Sequence, residues 1–353
     1  MPALSILFAT SEMAPWVKTG GLGDVAAALP AALHAAKHDI RVLIPGYPAL
    51  KKAFPEAALI ADIPSLAPAL PAARLLSAEA NGLPLLLLDC PILYERPGNP
   101  YLDATGHDWP DNDIRFGLLS RVAALLGQSA SPLDWQPDVV HVNDWQTALA
   151  PAWLHYEGGA ASVITVHNIA FQGCYGRPLL AGLGLPEHAW RFDGLEYHDQ
   201  LSFLKAGLQL ASQISTVSPT YASEIQNEDF GYALAPLLRH RKASLRGILN
   251  GVDTDIWNPA NDPALAHPYA ANRLAAKRLN KTALQQEMGL EEAGDRPLFG
   301  VISRLTEQKG LDLLLTLARM LGDICGHAAY SGYIGYFIGL AVMRPAQWLK
   351  LLA

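Results

Sequence analysis

A lysine and three glycines lie close together near the start of the chain, in the run Lys18-Thr-Gly-Gly-Leu-Gly-Asp24. An apolar run of strand length precedes them at 5–10, and apolar residues at helical spacing follow over 25–33. The run is therefore predicted to be a strand-to-helix turn with Asp24 as the helix N-cap. Free N–H groups at a helix N-terminus bind phosphate, glycines let the anion approach the backbone, and Lys18 adds a positive charge. A tight turn that merely needs glycine is an equally good interpretation of the spacing alone.

Polar residues follow further apolar runs at the points where strands are predicted to end. The residues at these ends are Asp144, His167 and Asn250. Because ligands in open α/β sheets bind beyond the carboxyl ends of the strands, the first two are expected to face the same crevice as Gly20 and Gly21. Taken singly, the aspartate is also explained as a helix cap and the histidine as a buried core residue.

A second strand–turn–helix pattern occurs near residue 300. Leu298–Ile302 is predicted to be a strand, and leucines at helical spacing follow from Leu311. Arg304 and Lys309 lie between them, where two cations and the N–H groups of the helix could hold a diphosphate. An exposed basic pair on a surface turn is the alternative. The two patterns, one in each half of the chain, suggest a cleft between two similar domains.

Length and composition restrict the class of protein. The 353 residues are enough for two domains, and half of them are hydrophobic. A net charge of −7 argues against a nucleic-acid partner. The three cysteines are isolated, which argues against a disulfide framework or a zinc site. No basic region precedes the first apolar run, so a secretory signal is not expected, and the chain is predicted to be cytoplasmic.

Strand-like and helical segments alternate along the chain, which predicts an α/β fold built on a parallel sheet. The predicted strands include 40–44, 83–89, 138–142, 162–166 and 214–217. Helices are predicted over 115–126 and 274–288, and Ser218 and Pro219 are predicted to start another. The Pro- and Ala-rich span 54–74 receives no assignment, and 253–271 is predicted to be a linker or wrapped loop.

The motifs, taken in order, resemble those of bacterial glycogen synthase and plant starch synthase. They are the run at 18–24, Asp144-Trp-Gln, Thr165-Val-His-Asn, Ser215-Thr-Val-Ser-Pro, Asn250-Gly-Val-Asp and Ser303-Arg-Leu-Thr-Glu-Gln-Lys-Gly310. Each motif alone is weak, but the ordered set up to about Met320 is specific. The resemblance implies a GT-B type α/β fold, in which two Rossmann-like domains face a cleft. It also implies retaining transfer of glucose from ADP-glucose to the non-reducing end of an α-1,4-glucan, with no cofactor and no metal.

The resemblance assigns a role to each matching residue. The donor side comprises Lys18, Gly20, Gly21, Asp144 and Asn250. Tyr101 matches a tyrosine on the acceptor side. The catalytic set comprises His167, which contacts the glucosyl unit, and Arg304 and Lys309, which neutralise the leaving diphosphate. Because bond breaking builds negative charge on the leaving group, fixed cations lower the barrier.

The resemblance also predicts how the chain is divided. The N-terminal domain is expected over 1–255, a linker and helix over 256–296, and the start of the C-terminal nucleotide-binding domain over 297–353. The family pattern is not followed over 321–353, which is interpreted as an altered reading frame or a gene fragment. A membrane-spanning helix over 324–343 is the less favoured alternative, because glycines and tyrosines dilute its hydrophobicity.

Three functional hypotheses remain open from the sequence. The first is an active glycogen synthase. The second is a truncated, non-catalytic remnant with weak glucan or nucleotide binding. Because a glutamate of the family pattern and much of the second domain are missing, this alternative is favoured for the chain as written, which is predicted to have no measurable glucan synthase activity. The third is a relative of the same fold that uses UDP-glucose. The expected partners are ADP-glucose and an α-1,4-glucan, without nucleic acid or membrane.

Overall fold

The computed structural model describes residues 2–292, 294, 297–300, 309–310 and 312–313. The described residues leave out Arg304, the last two residues of the strand predicted over 298–302, most of the helix predicted from Leu311, and the segment 321–353. Residues 298–300 are described and are not in a strand. The chain divides into two compact units, Met1–Asn250 and Gly251–Ala353.

The strands of the described residues all lie in the first unit. They are β1 Ser5–Ala9, β2 Asp39–Pro45, β3 Ala58–Ile63, β4 Ala73–Ala80, β5 Leu83–Asp89, β6 Val139–Asn143, β7 Ala161–Val166, β8 Cys174–Gly176, β9 Glu196–Tyr197, β10 Gln200–Ser202, β11 Gln213–Thr216 and β12 Leu245–Gly247. Nine of them form a sheet in the order β12-β11-β7-β6-β1-β2-β5-β4-β3, and the others form a small sheet in the order β8-β10-β9.

The helices lie between these strands. In the first unit they are α1 Gly21–Ala35, α2 Pro48–Ala53, α3 Pro91–Tyr94, α4 Asn112–Leu126, α5 Asp144–Thr147, α6 Ala150–Glu157, α7 Leu179–Gly182, α8 Phe203–Leu210, α9 Pro219–Glu224 and α10 Ala235–His240, with 3-10 turns at Glu187–Ala189 and Lys242–Ser244. The second unit contains α11 Lys277–Glu287, which follows a 3-10 segment at Ala271–Ala276.

Neighbouring strands from β12 to β5 are parallel, so their carboxyl ends meet at one edge of the large sheet. The central strand β1 is apolar over 6–9 because both faces of such a sheet are covered. Leu7, Phe8 and Ala9 of β1 have no exposed surface. The helix α1 packs on β2 and β5, and α4 packs on β1 and β2.

The predicted α/β class and the five strands named above are confirmed, with ends that differ by at most one residue. Helix α4 begins three residues earlier than predicted, at Asn112. Ser218 caps α9 as predicted, because its hydroxyl accepts a hydrogen bond from the Tyr221 N–H at 2.9 Å. In the second unit, α11 covers most of the helix predicted over 274–288.

The prediction for α1 was wrong in two respects. The N-cap is Gly20, and Asp24 lies one turn further, inside the helix. The buried residues of this helix are Leu22, Gly23, Ala26 and Pro30, whereas two alanines of the predicted apolar face, at 28 and 32, are exposed. Alanine occurs on every side of this helix, so the spacing of small apolar residues does not define one face.

Three other segments differ from the prediction. The unassigned span 54–74 contains β3 and the start of β4, which pair antiparallel and make the sheet mixed. The last strand of the sheet is β12, which ends before the apolar pair 248–249. The helix predicted after Asp144 is divided into α5 and α6.

Candidate functional site

The glycine loop, residues 18–21, connects β1 to α1 at the carboxyl edge of the sheet. The N-terminus of α1 has no side-chain cap, which leaves its first N–H groups available to a ligand. A Cβ atom added to Gly20 or Gly21 meets nothing within 4 Å, so a ligand can approach the backbone there. Gly23 differs, because its added Cβ would lie 3.3 Å from the Val17 carbonyl and 3.2 Å from the Lys18 side chain. This third glycine therefore serves the close packing of the loop on the helix.

Lys18 lies beside the open N-terminus of α1. Its Nζ atom is 2.8 Å from Asp24 Oδ1, and the two side chains are 46% and 58% exposed. An ion pair with this much exposure contributes little to stability, because solvent screens it. The ammonium group can therefore leave Asp24 and bind a phosphate at a small cost in stability. The aspartate that was predicted as a helix cap is instead the ion-pair partner of the lysine.

Glu12 was not identified in the sequence, although it holds the glycine loop in place. Its side chain is 3% exposed. One carboxylate oxygen accepts hydrogen bonds from the Thr19 N–H at 2.6 Å and the Gly20 N–H at 3.3 Å. The other accepts from the Thr19 hydroxyl at 2.6 Å. A buried carboxylate with several donors is a strong anchor, so Glu12 fixes the position of this loop.

Tyr101 contacts the same carboxylate from the opposite side. Its hydroxyl donates to Glu12 Oε1 at 2.5 Å and lies 2.9 Å from the Ser11 hydroxyl. Burial and the negative charge of Glu12 raise the pKa of this phenol well above its ordinary value. The tyrosine assigned to the acceptor side therefore stays protonated and is connected to the glycine loop through Glu12.

Asp144 holds the backbone at the end of the neighbouring strand. Its Oδ1 atom accepts hydrogen bonds from the His167 N–H at 2.6 Å and the Asn168 N–H at 3.2 Å. Its φ angle of +52° lies in the left-handed region, which aspartate and asparagine adopt more readily than most residues. Burial raises the pKa of this carboxyl to about 7. Asp144 thus positions the turn that carries His167.

His167 is held by Asn143 and is neutral. Its Nε2 atom lies 3.0 Å from Asn143 Oδ1, while Asn143 Nδ2 donates to the Ala9 carbonyl at 3.0 Å. Because that amide oxygen can only accept, the imidazole proton is on Nε2 and Nδ1 is an acceptor. Burial lowers the pKa of His167 to about 4. The negative charge of Glu12 is a smaller influence and raises the pKa of both His167 and Asp144.

In the structure, Glu12 connects the glycine loop to Tyr101, and Asp144 contacts His167 at the ends of β6 and β7. The substrate roles of these residues stay predictions. Asn250 is exposed and lies three residues beyond β12, at the end of the row of parallel strands. Lys309 is exposed and belongs to the second unit. Arg304 lies outside the described residues, so the predicted cation pair stays a prediction.

The described part of the chain contains neither a metal-binding cluster nor a membrane-spanning helix. Among these residues, no group of three or more His, Cys, Asp or Glu side chains could hold a metal ion. None of the described helices has the length and apolar character that crossing a membrane requires. The segment 324–343, for which a membrane helix was considered, lies outside the described residues.

Residues 5–240 match the model of the family described as starch synthase catalytic domain. A glycogen synthase of Dechloromonas aromatica is 75% identical over 352 residues, which cover 98% of this chain and 73% of that protein. This alignment therefore extends past Met320, where the family pattern was expected to end. A glycogen synthase of Nitrosomonas europaea is 52% identical over 326 residues, covering 90% of this chain and 66% of that protein.

A solved structure is similar as well. The catalytic domain of starch synthase IV from Arabidopsis thaliana, bound to ADP and acarbose, matches with a TM-score of 0.74 and 30% identity, covering 92% of this chain and 67% of that chain. The predicted GT-B fold class is thereby confirmed. The glycine loop, Tyr101, Asp144 and His167 all lie within the matched family region. The chain belongs to the bacterial glycogen synthase family of glycosyltransferases.

Proposed function

We propose that the protein transfers glucose from ADP-glucose to the non-reducing end of an α-1,4-glucan, with retention at the anomeric carbon. The observation that carries this proposal is the position of neutral, anchored His167 at the same sheet edge as the uncapped N-terminus of α1. The neutral imidazole suits an uncharged sugar, and the uncapped helix N-terminus suits a phosphate. A nucleotide sugar combines both chemical groups.

The glycine loop is assigned to the distal phosphate of the donor. The first N–H groups of α1 lack a side-chain cap, Gly20 and Gly21 leave the approach open, and Lys18 adds a cation. The positive end of the helix dipole strengthens this preference for an anion. The negative charge that develops on the diphosphate during bond breaking is stabilised by the same groups.

His167 and Tyr101 are assigned to the sugar side of the reaction. A neutral imidazole can form hydrogen bonds with sugar hydroxyls without competing for the diphosphate, and Asp144 and Asn143 fix its position. Tyr101 lies on the acceptor side, next to Glu12. By their match to the family pattern, Asn250 is assigned to donor binding, and Arg304 and Lys309 are assigned to neutralising the leaving diphosphate.

Adenine as the donor base is supported by the starch synthase IV structure, which was solved with ADP. The experiment compares ADP-glucose with UDP-glucose as donors for glucose incorporation into glycogen. We expect incorporation from ADP-glucose to be at least about tenfold faster, which corresponds to about 1.4 kcal/mol of discrimination. Equal use of both donors, or faster use of UDP-glucose, would overturn the assignment of the donor.

A further inference from the structure

A row of three polar side chains crosses the large sheet on β6, β7 and β11. His141 Nε2 lies 2.7 Å from the Thr165 hydroxyl oxygen, and that oxygen lies 2.5 Å from the Ser215 hydroxyl oxygen. The three residues are partly buried and lie on one face of the sheet. The opposite face of β6 and β7 is apolar and has no exposed surface at Val140, Val142, Ile164 and Val166.

Stability alone does not explain this polar row. Strands of parallel sheets are usually apolar on both faces. Valine has the shape of Thr165, and replacing a hydrogen-bonded set by apolar groups of the same shape is nearly neutral for stability. A polar network whose hydrogen bonds are all made does something that apolar packing does less well, because it fixes the elements that carry it in one relative position. The row therefore points to a need for precise placement of β7.

The contact between His141 and Thr165 has the same geometry as the contact that holds His167. In the register of β6 and β7, His141 is paired with Val163, and Asn143 is paired with Thr165. Each of these two side chains of β6 reaches two residues beyond its own partner, His141 to Thr165 and Asn143 to His167. Because the two contacts share one offset, a shift of β7 along β6 would disturb both of them together.

The row is satisfied without any charge. Burial, and to a smaller extent the nearby His167, lower the pKa of His141 to about 4, so its imidazole is neutral. The Thr165 hydroxyl can donate to one neighbour while it accepts from the other, which completes both contacts of the row. Ser215 is the residue of β11 that is paired with Thr165, so the hydroxyl contact also ties β7 to β11. The strand that ends at His167 is thus held from both sides.

We propose that His141, Thr165 and Ser215 are positioning residues, which fix β7 against β6 and β11 and so hold the His167 imidazole in place during glucose transfer. None of the three is assigned a contact with substrate, since each acts through His167. The inference rests on the proposed function, because that function assigns His167 to the sugar.

The first measurement is steady-state transfer of glucose from ADP-glucose to glycogen by the whole chain and its variants. Thr165→Val removes the central hydroxyl of the row, and Thr165→Ser keeps it. Ser162→Ala is the matched control, because that hydroxyl also accepts a hydrogen bond, from the Ser212 N–H at 3.4 Å, but lies near the other end of β7. We expect Thr165→Val to lower kcat about tenfold and to change KM for ADP-glucose less than about twofold. Thr165→Ser and Ser162→Ala should keep kcat within about twofold of the unmodified value.

The second measurement follows His167 itself. In protein that carries isotope-labelled histidine, the imidazole nitrogen resonances of His167, assigned with His167→Ala, report which ring nitrogen is protonated. We expect the Nε2–H form in the unmodified protein and in Ser162→Ala, since Asn143 Oδ1 accepts that proton. We expect a mixture of both tautomers in Thr165→Val.

The outcomes separate the positioning role from the function. An unchanged kcat and an unchanged His167 tautomer in Thr165→Val would overturn the positioning role and leave the proposed function standing. A loss of kcat in Ser162→Ala as large as in Thr165→Val would overturn it too, since any weakened contact of β7 would then have the same effect. If the unmodified protein transfers no glucose, the proposed function fails, and the tautomer of His167 decides the positioning role. Circular dichroism confirms that each variant is folded, and Ser215→Ala, which breaks only the outer contact, replaces Thr165→Val in both measurements if that variant does not fold.

Discussion

The Glu12 carboxylate accepts a 2.5 Å hydrogen bond from the Tyr101 hydroxyl, although 89 residues separate the two in the chain. The same carboxylate binds the backbone of Thr19 and Gly20. Glu12 therefore connects the acceptor-side tyrosine to the loop assigned to the donor phosphate. A change at this one residue is expected to disturb both substrates.

Glu12→Gln is expected to lower kcat/KM for the nucleotide sugar by about tenfold or more. The glutamine amide keeps one acceptor oxygen but places its N–H₂ group against the donors of Thr19, Gly20 or Tyr101. The glycine loop is therefore displaced, and a displacement of about 1 Å in an active site is costly in catalysis. The measurement is steady-state kinetics with both substrates. Glu56→Gln, at an exposed position, is the matched control. Kinetics that are the same in both variants would show that Glu12 does not position the loop.

Lys18→Ala is expected to weaken ADP-glucose binding by about tenfold or more, because a cation at the helix N-terminus is lost. Asp24→Asn supplies the matched comparison, since it removes the ion-pair partner of Lys18 and keeps the lysine. Its affinity should stay equal or rise. Titration calorimetry measures both. A loss of affinity in Asp24→Asn as large as in Lys18→Ala would indicate that the ion pair between these residues, and not a contact of Lys18 with phosphate, determines the affinity for ADP-glucose.

Asp144→Ala is expected to lower the free energy of unfolding by about 2 kcal/mol, because the buried N–H groups of His167 and Asn168 lose their acceptor. Asp144→Asn should cost less, since its amide oxygen accepts the same bonds and asparagine tolerates the positive φ angle. Urea unfolding gives both values. Equal losses in the two variants would contradict the role assigned to this side chain.

Two histidines and one aspartate make opposite contributions to the pH dependence of stability. Burial lowers the pKa of His141 and His167 to about 4, from an ordinary 6.5. Below pH 6.5 the two histidines bind protons in the unfolded chain but stay unprotonated in the folded protein. Their contribution therefore makes the free energy of unfolding fall as the pH drops to about 4. The pKa of Asp144 is raised from 3.8 to about 7, so its contribution rises as the pH falls over that range.

We therefore expect stability to fall on acidification, and to fall more steeply in Asp144→Asn, where the opposing contribution is gone. Urea unfolding of both proteins between about pH 7 and pH 5 measures the slopes. Parallel slopes would contradict the raised pKa of Asp144. A stability that rises in the unmodified protein would contradict the lowered values of the two histidines.

Strands such as β1, β2 and β5 could be predicted because each contains a short apolar run that the fold buries. Polar residues directly after such runs, Asp144 and His167, were correctly placed at one edge for the same topological reason. The span 54–74 was not predictable in this way. Its strand β3 lies at the sheet edge with mostly exposed side chains, so it carries no strong periodic signal.

The parts of the site that were missed depend on contacts between distant segments. Glu12 follows β1 without any spacing that distinguishes it, and its role appears only when Tyr101 and the glycine loop meet at its carboxylate. Asp24 was assigned wrongly because the choice of N-cap depends on backbone angles at Gly20 that residue type alone does not determine.

The most direct test is transfer of labelled glucose from ADP-glucose to glycogen by the 353-residue protein and its His167→Ala variant, assayed in parallel. The account predicts transfer by the unmodified protein and a loss of about a hundredfold or more in the variant, because the imidazole is assigned to the sugar undergoing transfer. Binding of ADP-glucose without transfer, as the non-catalytic alternative predicts, or transfer that His167→Ala leaves intact, would contradict it.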